Sequence, residues 1–136
     1  MQRSFATLFL ATSLCAGAAA QAAPNPVSVH VLDLQTGEPT PGVAVTLERH
    51  VDKDWRKLAQ GSTDREGRIR ELFPAGQALI KGEYRIVFNT GDHYSRAGKP
   101  SFFPRIPVEF QVDDTARHYH IPLLLSPFGY STYRGN

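Results

Sequence analysis

The sequence predicts an all-β fold, an antiparallel β-sandwich of about eight strands. Three features point there. Short segments alternate apolar and polar residues, Gly and Pro punctuate them at near-regular spacing, and almost nothing carries a helical period.

The first segment is set apart from the fold. Arg3 supplies a positive start, "FATLFLATSLCAGAAA" is an apolar stretch too short to span a bilayer comfortably, and Ala20-Gln21-Ala22 fits a small-x-small cleavage pattern. Residues 1–23 therefore read as a secretory signal peptide, with cleavage after Ala22 or Ala23, and the protein is expected in the periplasm. Residues 24–136 form one domain, just large enough for a single core.

Along that domain, "VSVHVLD" (27–33) sets Val27, Val29 and Val31 on one face and Ser28, His30 and Leu32 on the other. "QTGEPTPG" breaks it. "VAVTLERH" (43–50) is a second strand and "WRKLAQGST" (55–63) a third. "DREGR" makes a glycine turn, and "IREL" (69–72) is a short fourth strand. "PAGQALIKG" reads equally as a helical turn or a loop. "EYRIVF" (83–88) alternates again, and a short helix near 90–98 is expected to begin at Thr90 or Asp92. "RIPVEFQV" (105–112), "HYHIPLLL" (118–125) and "YSTYR" (130–134) complete the set.

The seventh of these segments is two-sided. Tyr119, Ile121, Leu123 and Leu125 suit a core, while His118, His120, Pro122 and Leu124 share a half-apolar opposite face. Pro122 has no N–H and favours an edge or irregular position. Such a strand suggests an outer face covered by another subunit, or by a loop of the same chain.

Composition narrows the function. The formal net charge is +2, falling to near +1 once Arg3 leaves, without the clustered basic face that nucleic acid requires. Cys15 is the only cysteine and lies in the leader, which excludes thiol catalysis, disulfides and cysteine-bound metal in the mature chain. No second segment is apolar and long enough for a membrane span.

Five histidines remain, and neutral imidazole serves both as general base and as metal ligand. His50 and His93 lie in polar surroundings and read as surface residues. His30 sits mid-strand opposite the valines. His118 and His120 form His-x-His on one face, a spacing that holds zinc or copper when a third ligand arrives. A metal site, a catalytic site and structural histidines all stay open on spacing alone. Arg68, just after the Gly67 turn, reads on its own most simply as an exposed turn arginine.

The stretches "HVLDLQTGEPTPGVAVTL", "STDREGR" and "GEYRIVF" resemble many prealbumin-like sandwiches. The ending "HYHIPLLLSPFGYSTYRG", with "FFP" at 102–104 and "HVLD" at 30–33, resembles the transthyretin-related family of 5-hydroxyisourate hydrolases, from about Val27 to Gly135. Hormone-carrying transthyretins share the scaffold but place a lysine, an acidic residue and a threonine where this chain has His30, Arg68 and His120. The resemblance implies a hydrolase of urate degradation with His30, Arg68 and His120 as catalytic residues. It implies that His30, Arg68 and Tyr133 bind a flat purine-derived substrate. It also implies a homotetramer with sites between dimers, and no metal or other cofactor. His118 then falls back to a structural or surface role. The family's chain usually closes Tyr-Arg-Gly-Ser, and Asn136 replaces that serine with a bulkier amide. Two other readings remain: a transthyretin-like binding protein without turnover, and a metal-binding sandwich using His118 and His120.

Overall fold

A computed structural model describes residues 21–136. Most of the segment read as a signal peptide lies outside them. Eight strands and one helix follow in order: β1 (Val27–Asp33), β2 (Ala44–Val51), β3 (Asp54–Ser62), β4 (Arg68–Ile69), β5 (Gly82–Asn89), α1 (Thr90–Arg96), β6 (Ile106–Val112), β7 (Tyr119–Ser126) and β8 (Gly129–Thr132). They form two four-stranded sheets, β4-β1-β7-β8 and β3-β2-β5-β6.

The alternation places the core as expected. Val27, Val29 and Val31 of β1 and Tyr119, Ile121, Leu123 and Leu125 of β7 are buried against Val45, Leu47, Ile86 and Phe88 of the other sheet. Each such side chain taken from water contributes about 1.5–3 kcal/mol before the entropy of ordering is subtracted. The outward residues of β1 and β7 are left to line a surface, and that surface carries the histidines.

Three expectations are refined by the structure. The sandwich is not wholly antiparallel, because β1 and β7 pair in parallel over seven residues, from Val27↔Tyr119 to Asp33↔Leu125. The fourth strand shrinks to Arg68–Ile69, and the Arg70 side chain that follows pairs with Asp64 and Glu66. Leu72 N–H still donates to Val27 C=O at 3.1 Å, so the chain stays beside β1. "PAGQALIKG" is a loop with one turn, and its Ile80 carbonyl accepts the Tyr84 hydroxyl at 2.9 Å.

Pro122 lies in an interior strand of its sheet, at an irregular point. The β7–β8 ladder runs from Ser126↔Gly129 to Leu123↔Thr132 and then lapses. It resumes as a single bridge, His120↔Gly135, three residues further along each strand. The same register puts Tyr133 opposite Pro122, which has no N–H to return to it. Thr132 Oγ1 donates to the Pro122 carbonyl at 2.7 Å.

α1 begins at Thr90, within the expected stretch, and its Thr90 hydroxyl donates to the Phe103 carbonyl. No helix among the described residues is long and apolar enough to cross a membrane.

Candidate active site

The parallel register of β1 and β7 builds the centre of the site. Ser28 lies beside His120 and His30 beside Pro122, so Ser28, His30 and His120 share the face turned away from the core. On the other side of β1, His30 pairs with Arg68 in antiparallel register. Directly opposed residues on one face hold their side chains within mutual reach. His30, Arg68 and His120 are thus brought together from three adjacent strands, with the two imidazole centroids 6.5 Å apart.

A tight turn delivers Arg68. Asp64 Oδ1 accepts the N–H groups of Glu66 and Arg68, each at 2.9 Å, and Gly67 N–H donates to the Asp64 carbonyl at 2.9 Å. Gly67 has φ +69°, and its carbonyl accepts Val31 N–H at 2.8 Å. A Cβ there would stand 2.4 Å from the Val31 carbonyl oxygen. Only glycine allows so close an approach, which fixes where Arg68 leaves the turn.

Burial pushes the His30 imidazole below the ordinary value of 6.5, and the Arg68 cation lowers it further. A hydrogen bond to the Glu66 backbone and the Asp64 charge oppose them. His120 is lowered as well, by burial first and then by Arg68, His118 and His30. Both rings are therefore neutral near pH 7, the form that accepts a proton. His30 Nε2 is buried without a hydrogen-bond partner among the described residues. Such an orphaned ring nitrogen in a polar site is a place for a hydrogen-bonding group of a ligand or a water.

His120 and His118 are joined through Ser28. Ser28 Oγ lies 2.7 Å from His118 Nε2 and 2.8 Å from His120 Nδ1. The remaining His118 ring nitrogen, Nδ1, lies 2.8 Å from the Asn25 carbonyl oxygen. His118 is thus neither solitary nor free, although its ring is exposed. Three of the four ring nitrogens of the His-x-His pair are engaged with Ser28 or Asn25. No cluster of three or more His, Cys, Asp or Glu with metal-site spacing occurs among the described residues.

The C-terminal stretch closes one flank. Gly135 N–H donates to the His120 carbonyl at 3.0 Å. By alternation Tyr133 falls on the histidine face and is 58% exposed. It also borders a cavity of about 390 Å³ lined by His120 and Ile121 of β7 and by Val108 and Phe110 of β6 in the other sheet, which neither His30 nor Arg68 reaches. Arg134 turns the other way, its guanidinium 5.7 Å from the Tyr119 ring centre. His50 and His93 lie away from this cluster, His50 paired with Glu83 and tilted against the Trp55 ring at 4.9 Å, His93 on α1.

Sequence reasoning did not assign roles to Ser28 or Asn25. Period two had already placed Ser28 on the face of His30. What it lacked was the parallel partner: only the register with β7 shows that Ser28 touches both histidines of the His-x-His pair.

A family model described as HIUase/Transthyretin family matches residues 27–135, which contain His30, Arg68, His120 and Tyr133. The chain is 48% identical over 137 residues to a 5-hydroxyisourate hydrolase of Salmonella dublin, covering 100% of both. Among solved structures it is similar to Klebsiella pneumoniae 5-hydroxyisourate hydrolase, at TM-score 0.71 and 38% identity, covering 82% of this chain and 99% of that one. It is equally similar to sea bream transthyretin in complex with thyroxine, at TM-score 0.74 and 34% identity, covering 81% and 94%. Backbone likeness therefore spans two kinds of protein, and side chains must separate them. The chain belongs to the HIUase/transthyretin family.

Proposed function

We propose that the protein is a 5-hydroxyisourate hydrolase, opening the cyclic amide of a flat, purine-derived substrate. The observation that carries this is the convergence of two histidines and one arginine, His30, His120 and Arg68, on one sheet face. The full-length similarity to the Salmonella hydrolase supports the same reading.

Amide hydrolysis needs a base for water, a donor for the carbonyl oxygen and an acid for the leaving nitrogen. A neutral imidazole fits the first need and contributes about 10²–10⁴-fold in rate. Arg68 supplies a fixed cation with planar donors, suited to negative charge on the carbonyl oxygen and to the edge of a urate-like ring. Tyr133 and Asn136 follow on the flanking stretch, where the phenol adds a hydrogen-bonding group on the substrate side. The chemistry draws on protein groups alone in this reading, with no cofactor.

Export to the periplasm and assembly as a homotetramer belong to the same proposal. The positive start, apolar stretch and Ala-Gln-Ala of residues 1–23 support export. Half-buried Leu124 on the outer face of β7 and Phe128, 68% exposed in the next turn, support a covering subunit.

The similarity to a thyroxine-binding transthyretin favours a second reading, binding without turnover. Two experiments separate them. Under the hydrolase reading, His30→Ala and Arg68→Glu each return consumption of fresh 5-hydroxyisourate to the spontaneous rate. Calorimetric binding of aromatic ligands by a protein that leaves that substrate untouched decides for the carrier.

A further inference from the structure

Either histidine could serve as base by proximity alone, and the hydrogen-bond chain behind His120 distinguishes them. Its polarity is set at one end. The Asn25 carbonyl oxygen has only lone pairs, so His118 Nδ1, 2.8 Å away, is the donor. A neutral imidazole carries one N–H, which leaves His118 Nε2 as an acceptor. Ser28 Oγ, 2.7 Å from that nitrogen, has one hydrogen to give and gives it there. What Ser28 then presents to His120 Nδ1, at 2.8 Å, is a lone pair. The hydrogen bond exists only if His120 carries its own proton on Nδ1. His120 Nε2 is then left bare.

The chain is anchored as well as polarised. The Asn25 side chain clasps Phe73 from both sides, Nδ2 donating to the Phe73 carbonyl at 2.8 Å and Oδ1 accepting Phe73 N–H at 3.0 Å. Oδ1 also accepts Val27 N–H at 3.1 Å. Tyr119 N–H donates to the Pro26 carbonyl at 2.8 Å, holding this segment along β7. Ser28 itself is 8% exposed, so water scarcely competes for its hydroxyl.

We propose that Ser28 and His118 are positioning residues that hold His120 as its Nδ1–H tautomer, making His120 Nε2 the atom that takes the proton from water. This rests on the hydrolase reading above. In the step itself, water gives a proton to Nε2 while its oxygen bonds to the amide carbon. His120 becomes an imidazolium whose Nδ1–H still donates to Ser28. As the carbon–nitrogen bond breaks, the proton on Nε2 passes to the departing ring nitrogen, and His120 returns to its starting form. One water is consumed, and neither histidine is left altered.

Full-length protein carrying ¹⁵N-histidine, at about pH 8 where histidines are neutral, tests this by tautomer-sensitive NMR alongside steady-state kinetics. His120, assigned by loss of its signal in His120→Gln, is expected as Nδ1–H in the wild type. In Ser28→Ala and in His118→Phe it should become a mixture of tautomers. For both variants kcat should fall roughly 10–100-fold with KM within about twofold, since only the base is disordered. Ser28→Thr, which keeps the hydroxyl, should recover most of the loss. Nε2–H on His120 in an active wild-type protein overturns the positioning, as does Ser28→Ala with unchanged kcat and tautomer. A wild-type protein that hydrolyses nothing overturns the activity and with it the base assignment, whereas the tautomer measurement needs no substrate.

Discussion

Gly135 lies against His120 so closely that a Cβ at Gly135 would stand 2.4 Å from His120 Cδ2, while its N–H holds the His120 carbonyl at 3.0 Å. Main chain and ring are thus placed by the same glycine. Gly135→Ala should push the imidazole aside and lower kcat/KM by at least roughly tenfold, because misplacing a base by about 1 Å is costly. Tm should change little, since neither residue belongs to the core. Deleting Tyr133 to Asn136 should likewise spare the cooperative unfolding transition and abolish turnover, as circular dichroism and the rate assay would show.

Acid should inactivate the protein only below the ordinary histidine range. His30 and His120 are both held below 6.5, mainly by burial. The acid limb of kcat/KM should therefore have its midpoint below 6.5, as measured in a pH–rate profile of the free enzyme. Stability follows the same sign. Between the folded values of His30, His93 and His120 and 6.5, the unfolded chain binds more protons than the folded one. Their contribution is complete above 6.5 and is lost as the pH falls through the folded values, so Tm should drop on acidification in that window.

Arg68 has two separable effects. Its charge lowers both His30 and His120, and its guanidinium is the proposed partner of the carbonyl oxygen. Arg68→Gln should reduce kcat by roughly 10²–10³-fold, as loss of an oxyanion donor does. It should also move the acid limb upward toward 6.5. A variant that loses rate without that movement would show that Arg68 acts on substrate alone.

Gly67→Ala tests the turn rather than the chemistry. A side chain there must take φ +69° and meet the Val31 carbonyl oxygen at 2.4 Å. Denaturant unfolding should register a loss of about 2 kcal/mol or more. Activity should fall with it, because the turn sets where Arg68 stands beside His30.

The core was legible in the residues because the alternating hydrophobes Val27, Val29 and Val31 of β1 and Tyr119, Ile121, Leu123 and Leu125 of β7 are all buried, although Ser28 and Pro122 on the opposite face are buried too. Strand pairing was not. Nothing in "VSVHVLD" or "HYHIPLLL" states that the two run parallel, since partner and direction are set by the path of the whole chain. That same register brings Ser28 to the histidines, so the hydrogen-bond chain was invisible for the same reason. The fourth strand ends at Ile69, and the next residue, Arg70, pairs with two carboxylates of the preceding turn, an interaction that alternation does not encode. His30, Arg68 and His120 were singled out largely through resemblance, as a histidine or a turn arginine alone carries little information about role. The two features that geometry added, the Ser28 bridge and the Gly135 contact, are both contacts between distant segments.

The most direct test is the disappearance of freshly generated 5-hydroxyisourate, followed by ultraviolet absorbance with and without pure protein. A rate proportional to protein concentration, returning to background in His120→Ala, is the predicted result. Decay at the spontaneous rate whatever the protein concentration would contradict the account.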